Sequence, residues 1–167
     1  RCGSSSRPMM AGLQRECTNS SCGTVIFPRI DPVVIMLVVS SDGEQCLLGR
    51  NHGYPGRLVS ALAGYMEPGE SIEEAVRREI LEEAGVSIAE VRYFTSQPWP
   101  FPSTLMIGCF AVAENLKLDV NLQELESAQW FNKKDVQQLF AEQNQEFSAP
   151  RPIAIAHHLI RHWLDNS

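Results

Sequence analysis

The sequence contains no run of 18 uninterrupted apolar residues, so no helix spanning a bilayer is expected. It also lacks an excess of base. Fourteen Lys and Arg stand against 20 Asp and Glu, and the net charge of -6 withholds the counterion-release term on which general nucleic-acid binders depend. A small phosphorylated ligand delivered with a divalent cation is compatible with that charge. There is no internal repeat, no low-complexity block and no charge run long enough for a disordered tail. The five cysteines are odd in number and follow no secretory signal, so they read as reduced thiols and not as a disulfide framework. Cys46 and Cys109, in apolar surroundings, read as small core residues. What remains is 167 residues, 44% of them hydrophobic, enough for one well-buried domain and a small appendage.

The stretch from Gly64 to Val86 organises the rest. Ser71 is placed to cap a helix, Glu74 completes a capping box, and Gly85 supplies the stop, which predicts a helix from Ile72 to Ala84. At about 100° per residue, Ile72, Ala75 and Val76 share one stripe; Glu79 and Glu83 fall on it two turns later, with Glu82 beside them. An acidic helix is ordinarily a solvated, salt-bridged surface. Carboxylates on an otherwise apolar stripe instead repel one another and suffer desolvation, unless cations or a proton neutralise them. Hard oxygen ligands at i, i+3 and i+4 suit Mg²⁺ or Mn²⁺ bound jointly with substrate phosphates. Arg78, off the stripe, is placed to orient a carboxylate.

These residues, Gly64-x5-Glu70-x7-Arg78-Glu79-Ile80-x-Glu82-Glu83-x-Gly85-Val86, resemble the Nudix box. The resemblance implies an α/β/α sandwich with a mixed sheet, and a pyrophosphohydrolase in which divalent cations on the helix carboxylates assist attack of water on phosphorus. Glu79, Glu82 and Glu83 would be its catalytic and metal-binding residues. The box names a reaction class and not a substrate.

Residues 1–23 are poor in apolar side chains and need a staple, or they are disordered. Cys17-x4-Cys22, with Cys2 upstream, has the look of a zinc ribbon short of its fourth ligand, a partner for Cys2 falling just before Arg1; loose surface cysteines are the plainer alternative. The expected organisation is therefore a partial zinc-ribbon-like segment over 1–26 and a Nudix domain over 27–167.

Along the second segment, Val33 to Val39 reads as a strand buried on both faces, followed by a hairpin to Gln45–Gly49 and a short strand from Leu58 to Ala63. The loop Asn51 to Gly56 shows no distinctive chemistry. After the helix come a strand at Val91 to Thr95 and then a segment, Ser96 to Ser103, whose three prolines in five positions predict a stiff extended loop and exclude a regular strand. Strands at Leu105–Ala113 and Ala128–Phe131, a helix at Lys133–Glu142 and a last helix at Ile153–Leu164 complete the chain. That last helix carries His157, His158 and His162, which read as packed or solvent-facing, no Cys or carboxylate being spaced to complete a metal site.

A rigid aromatic loop is often only packing. This one, SQPWPFPS, resembles the SQPWPFPxS signature of the NADH pyrophosphatase branch of the Nudix family, whose members carry a four-cysteine ribbon ahead of the domain. The resemblance implies an NAD(H) diphosphatase, homodimeric, that yields nicotinamide mononucleotide and AMP. It implies that the loop recognises the nicotinamide half, Gln97 and Ser103 making polar contacts and Trp99 and Phe101 shaping the wall. It also marks Phe27, Ala63 and Ala156 as substrate contacts. Glu124, six residues before Trp130, would close the metal site, with Glu126 as its rival. RNA bearing an NAD cap is the second substrate that the branch implies. Other nucleoside diphosphate derivatives, or a sensing module that keeps the fold without catalysis, are the alternatives. Relatives in eukaryotes lead to an expectation of the mitochondrion, with peroxisome or cytoplasm as the alternatives.

Overall fold

The computed structural model describes residues 1–166; the chain divides into two compact units, Arg1–Ile30 and one that begins at Asp31. In the first unit, β1 (Ser6–Met9), a 3-10 turn (Met10–Gly12), β2 (Gln14–Cys17) and β3 (Val25–Ile26) make a three-stranded antiparallel sheet in that order. Arg7 and Glu16 face each other across β1 and β2 at 2.7 Å. None of its residues is buried. A unit with no core depends on local links, and the three cysteines of this segment are placed to supply one.

The second unit is built on one mixed sheet. Its strands are β4 (Asp31–Val39), β5 (Gln45–Asn51), β6 (Leu62–Tyr65), β7 (Ile88–Trp99), β8 (Thr104–Ala113) and β9 (Leu125–Asn132). The order is β7-β8-β4-β5-β9, with β4 parallel to β8 and the other pairs antiparallel. β4 changes partner along one edge: Val33–Met36 pair with β6, and Val38 and Val39 with β5. Alternate residues of β4 enter two cores. Val34, Met36 and Val38 pack beneath α1 (Ile72–Ala84) with Ala75, Val76 and Ile80. Ile35 and Leu37 pack beneath α2 (Lys133–Phe140) and α3 (Ile155–Asp165) with Val136, Leu139, Leu159 and Ile160. Layers on both faces are why this strand reads as continuous hydrophobic sequence, and the α/β/α sandwich with a mixed sheet is the architecture found.

Several boundaries differ from expectation. β7 runs on through Gln97, Pro98 and Trp99, which pair with Met106, Leu105 and Thr104. The prolines do not exclude a strand here because β7 is an edge of the sheet, where the missing N–H of Pro98 can face the open side. β6 starts at Leu62 and not at Leu58; Leu58 and Ser60 make only isolated bridges, to Ser148 and Gly49. β9 starts earlier than expected, at Leu125, and α2 stops at Phe140, short of Glu142, whose φ is 56°. Among the described residues no helix is long and apolar enough to cross a membrane.

Candidate active site

The local chemistry that sets α1 is the capping box. Glu74 donates its backbone N–H to Ser71 Oγ at 3.2 Å and accepts the Ser71 N–H at 2.8 Å. Gly85 ends the helix at φ 69°, and its N–H reaches the Leu81 carbonyl. Fixed in this phase, α1 turns Glu79 and Glu83 toward the sheet, where they are 9% and 6% exposed. Gly64 on β6 makes room for Glu79: a Cβ there would collide with its carboxylate, which gives the first glycine of the box a physical reason.

Arg78 organises the remaining carboxylates. Its guanidinium donates to both oxygens of Glu70 (2.6 and 2.9 Å), to Glu79 Oε1 (2.8 Å), to Glu82 Oε2 (3.1 Å) and to the Tyr65 carbonyl (2.8 Å). The Arg78 guanidinium, with the Glu67 N–H, holds Glu70 down to about 2. Glu79 nevertheless lies above the ordinary carboxylate range, because burial outweighs the Arg78 contact and Glu82 and Glu124 add like charge. Glu83 is pushed up to about 8 by burial first, then by the charges of Glu79, Glu124 and Glu82. Its Oε2 is buried without a hydrogen-bond partner.

An orphaned, desolvated carboxylate oxygen among like charges fits a bound divalent cation, which would supply the missing partner and the missing charge. Glu79 and Glu83 would hold such an ion, with Glu82, on the exposed side of α1, and Glu124 at the edge. Glu124 is exposed and accepts from Asn121 at 3.1 Å, but its charge is felt by both buried glutamates. Its rival Glu126 is taken by Arg50 at 2.8 Å. Among the described residues no three carboxylates converge as closely as the cysteine sulfurs do, as expected of like charges without a counterion.

A cavity of ≈ 760 Å³, within the range of small-molecule sites, shares Tyr54 with a crevice at Glu83. Gln97, Trp99 and Ala156 line the cavity, as the sequence suggested. Ala63 instead lines a crevice of ≈ 20 Å³ with Glu83. Phe101 and Ser103 line neither. Phe101 is exposed and meets the edge of Trp99 at 6.0 Å, and Ser103 donates to Asp31 at 2.9 Å. Counted along the signature, its final serine position falls on Thr104, while Ser103 takes the unrestricted one. Phe27 belongs to the first unit, where it is exposed.

Gln97 has a job that its sequence position did not disclose. Its Oε1 accepts the N–H of Ile155 and its Nε2 donates to the Ile153 carbonyl, both at 2.8 Å. α3 has no cap from its own N-cap residue, so the amide from β7 caps it instead and holds Ala154–Ala156 against the cavity. The expected polar contact with substrate is therefore already engaged with backbone. Tyr54 was missed altogether. It borders both the cavity and the crevice at Glu83, and burial raises its phenol above the ordinary value, while a hydrogen bond with Ser60 opposes that rise and the charge of Glu83 adds to it. An aromatic in a Gly- and Pro-rich loop was its only signal in the sequence.

In the first unit the sulfurs of Cys2, Cys17 and Cys22 lie within 4.8 Å of one another, Cys2 and Cys17 at 3.4 Å. Hydrogen bonds with Ser4, then with Cys17 and Cys22, lower the Cys2 thiol to about 6. Three convergent soft ligands, one of them inclined to thiolate, fit zinc with one position of the tetrahedron left to another donor. The histidines form no such group: His157 meets the Pro150 carbonyl at 3.0 Å and packs on Phe140.

Comparison with known proteins places this geometry. The model of the NUDIX domain matches residues 29–150. NAD-capped RNA hydrolase NUDT12 of Homo sapiens is 44% identical over 98% of this chain and 37% of its own length. NAD(P)H pyrophosphatase NUDT13, mitochondrial, of Mus musculus is 42% identical over 98% of this chain and 50% of its own length. The chain thus spans half or less of these two relatives. Among solved structures, a NUDIX hydrolase from Nitrosomonas europaea superposes with a TM-score of 0.73 at 18% identity, covering 99% of this chain and 88% of that one.

Proposed function

The chain belongs to the Nudix family, and from that premise we propose that it hydrolyses the pyrophosphate of NADH, giving AMP and reduced nicotinamide mononucleotide. The observation that carries the reading is the unpartnered, buried Oε2 of Glu83 at the crevice beside the large cavity. Mg²⁺ or Mn²⁺, when bound, neutralises the phosphates and activates water. Glu79, Glu83 and Glu124 would hold it, and Glu82, the exposed carboxylate, would serve either as a further ligand or as the base on the attacking water. Arg78 fixes the geometry of Glu79 and Glu82. One half of the dinucleotide occupies the cavity against Trp99 and Ala156, with Ala63 at the crevice. Zinc on Cys2, Cys17 and Cys22 staples the first unit, two chains pair, and the setting is the mitochondrion.

NAD-capped RNA is the second reading, favoured by the likeness to NUDT12, an NAD-capped RNA hydrolase. One experiment decides: incubation with Mg²⁺ or Mn²⁺ and a matched panel of NADH, NAD⁺, NADPH, ADP-ribose, diadenosine polyphosphate and an NAD-capped oligonucleotide, followed by chromatography of the products. NADH in the lead, with AMP and the reduced mononucleotide as products, is expected. Another member in the lead overturns the substrate assignment and leaves the chemistry; no cleavage of any member overturns both.

A further inference from the structure

The chain has 20 Asp and Glu, yet none lines the large cavity, whereas two arginines do. Arg7, Arg50, Arg78 and Arg161 all lie within ion-pair distance of a carboxylate. Arg57 and Arg151 have no such partner among the described residues. Both also border a neighbouring depression of ≈ 400 Å³, so they stand together where the cavity opens outward. Arg57 gives one nitrogen to the Gln145 carbonyl, which fixes its side chain and leaves other donors unused. Glu142 lines the neighbouring depression as well, but within the large cavity itself two guanidiniums without an ion-pair partner and no carboxylate, in a protein of net charge -6, are a local reversal of sign.

The carboxylates of α1 serve the opposite end of the chemistry. Tyr54 borders both the cavity and the crevice of Glu83, so the carboxylate crevice and the cavity with its arginine rim adjoin through one side chain. We infer that Arg57 and Arg151 form an anion subsite that takes a phosphate of the ligand other than the two joined in the scissile anhydride. The planar fork of arginine suits the paired oxygens of a phosphate, and the apolar cavity wall reduces screening on one side. The inference rests on the dinucleotide reading above. Two sources share the chemistry: a phosphate monoester on the ribose, as in NADPH, and the first phosphodiester of a chain attached to the dinucleotide.

The test compares kcat/KM for NADH, NADPH and an NAD-capped oligonucleotide in the wild type, Arg151→Gln and Arg57→Gln. In Arg151→Gln the ratio of NADPH to NADH is expected to fall by about tenfold, the worth of one charge-assisted contact at a partly solvated rim. A fall confined to the ratio of capped oligonucleotide to NADH also upholds the subsite and identifies the phosphodiester as its ligand. Both ratios unchanged in both variants overturns it. Calorimetric binding of adenosine 2′,5′-bisphosphate against AMP gives a readout independent of catalysis. If the wild type cleaves no dinucleotide, the proposed function fails, while the preference for the bisphosphate and its loss in Arg151→Gln still judge the arginines.

Discussion

Replacing Glu83 by Gln should abolish activity and at the same time stabilise the cation-free protein, by an amount that grows with pH. The folded protein holds Glu83 at about 8, against the ordinary value of 4.5, so it binds this proton more tightly than the unfolded chain does. Stability linked to Glu83 is therefore fully present below 4.5 and declines as pH rises through about 8. At 1.36 kcal/mol for each pKa unit, the cost is under about 1 kcal/mol at pH 5, about 3 kcal/mol at pH 7 and close to about 5 kcal/mol above pH 9. Glutamine has nearly the same shape and no charge, so it removes that slope. Urea unfolding in EDTA at pH 5, 7 and 9 measures the effect: wild type and variant should nearly coincide at pH 5 and separate progressively above it, the variant being the more stable. Adding Mg²⁺ should raise the wild-type midpoint and leave that of the variant almost unmoved, and kcat should fall by about 100-fold or more with the loss of transition-state charge stabilisation. A variant no more stable than wild type at pH 9 in EDTA would refute the account of Glu83 as a buried carboxylate lacking its counterion.

Two further substitutions separate positioning from chemistry. Gly64→Ala places a methyl group where the Glu79 carboxylate sits; kcat should fall by about tenfold or more with circular dichroism unchanged, and wild-type kcat would mean that Glu79 has no fixed role. Gln97→Leu removes both hydrogen bonds to the start of α3. It should cost about 1–2 kcal/mol in chemical denaturation and raise KM more than it lowers kcat. A stability equal to that of wild type would show that the cap supplied from β7 contributes nothing.

What the sequence disclosed and what it concealed follow the range of the interactions involved. α1 was legible to the residue because its cap, its stop and its inward stripe all lie within fifteen positions, and the same periodicity exposed Glu79 and Glu83 as carboxylates facing a core. β4 was legible because burial on both faces leaves a continuous apolar run. The role of Gln97 was not, since its partners lie 56 and 58 residues away. Pro98 misled because whether proline breaks a strand depends on which edge the strand occupies, and neighbours in the sheet are not written locally. Tyr54 sits in a loop with no periodicity at all; only the fold brings it beside Glu83's crevice.

One helix thus carries carboxylates of two kinds, and a single arginine separates them. Arg78 faces away from the core and gathers Glu70, Glu79 and Glu82 with the Tyr65 carbonyl, tying the loop before the helix to the strand that leads into it. Five donors in a rigid fork can serve four partners at once, which lysine, with three donors at one point, cannot match. Glu83, one turn on from Glu79, is beyond that reach and keeps an unpartnered oxygen. Had Arg78 faced the core, it would have neutralised Glu83 and left no demand for a cation. The separation is set by about 100° of helical phase per residue, so a site that reads as three acidic residues in a row of five is, physically, an exposed carboxylate (Glu82) and a buried one (Glu79) both tied to Arg78, and a second buried carboxylate, Glu83, left open for a ligand.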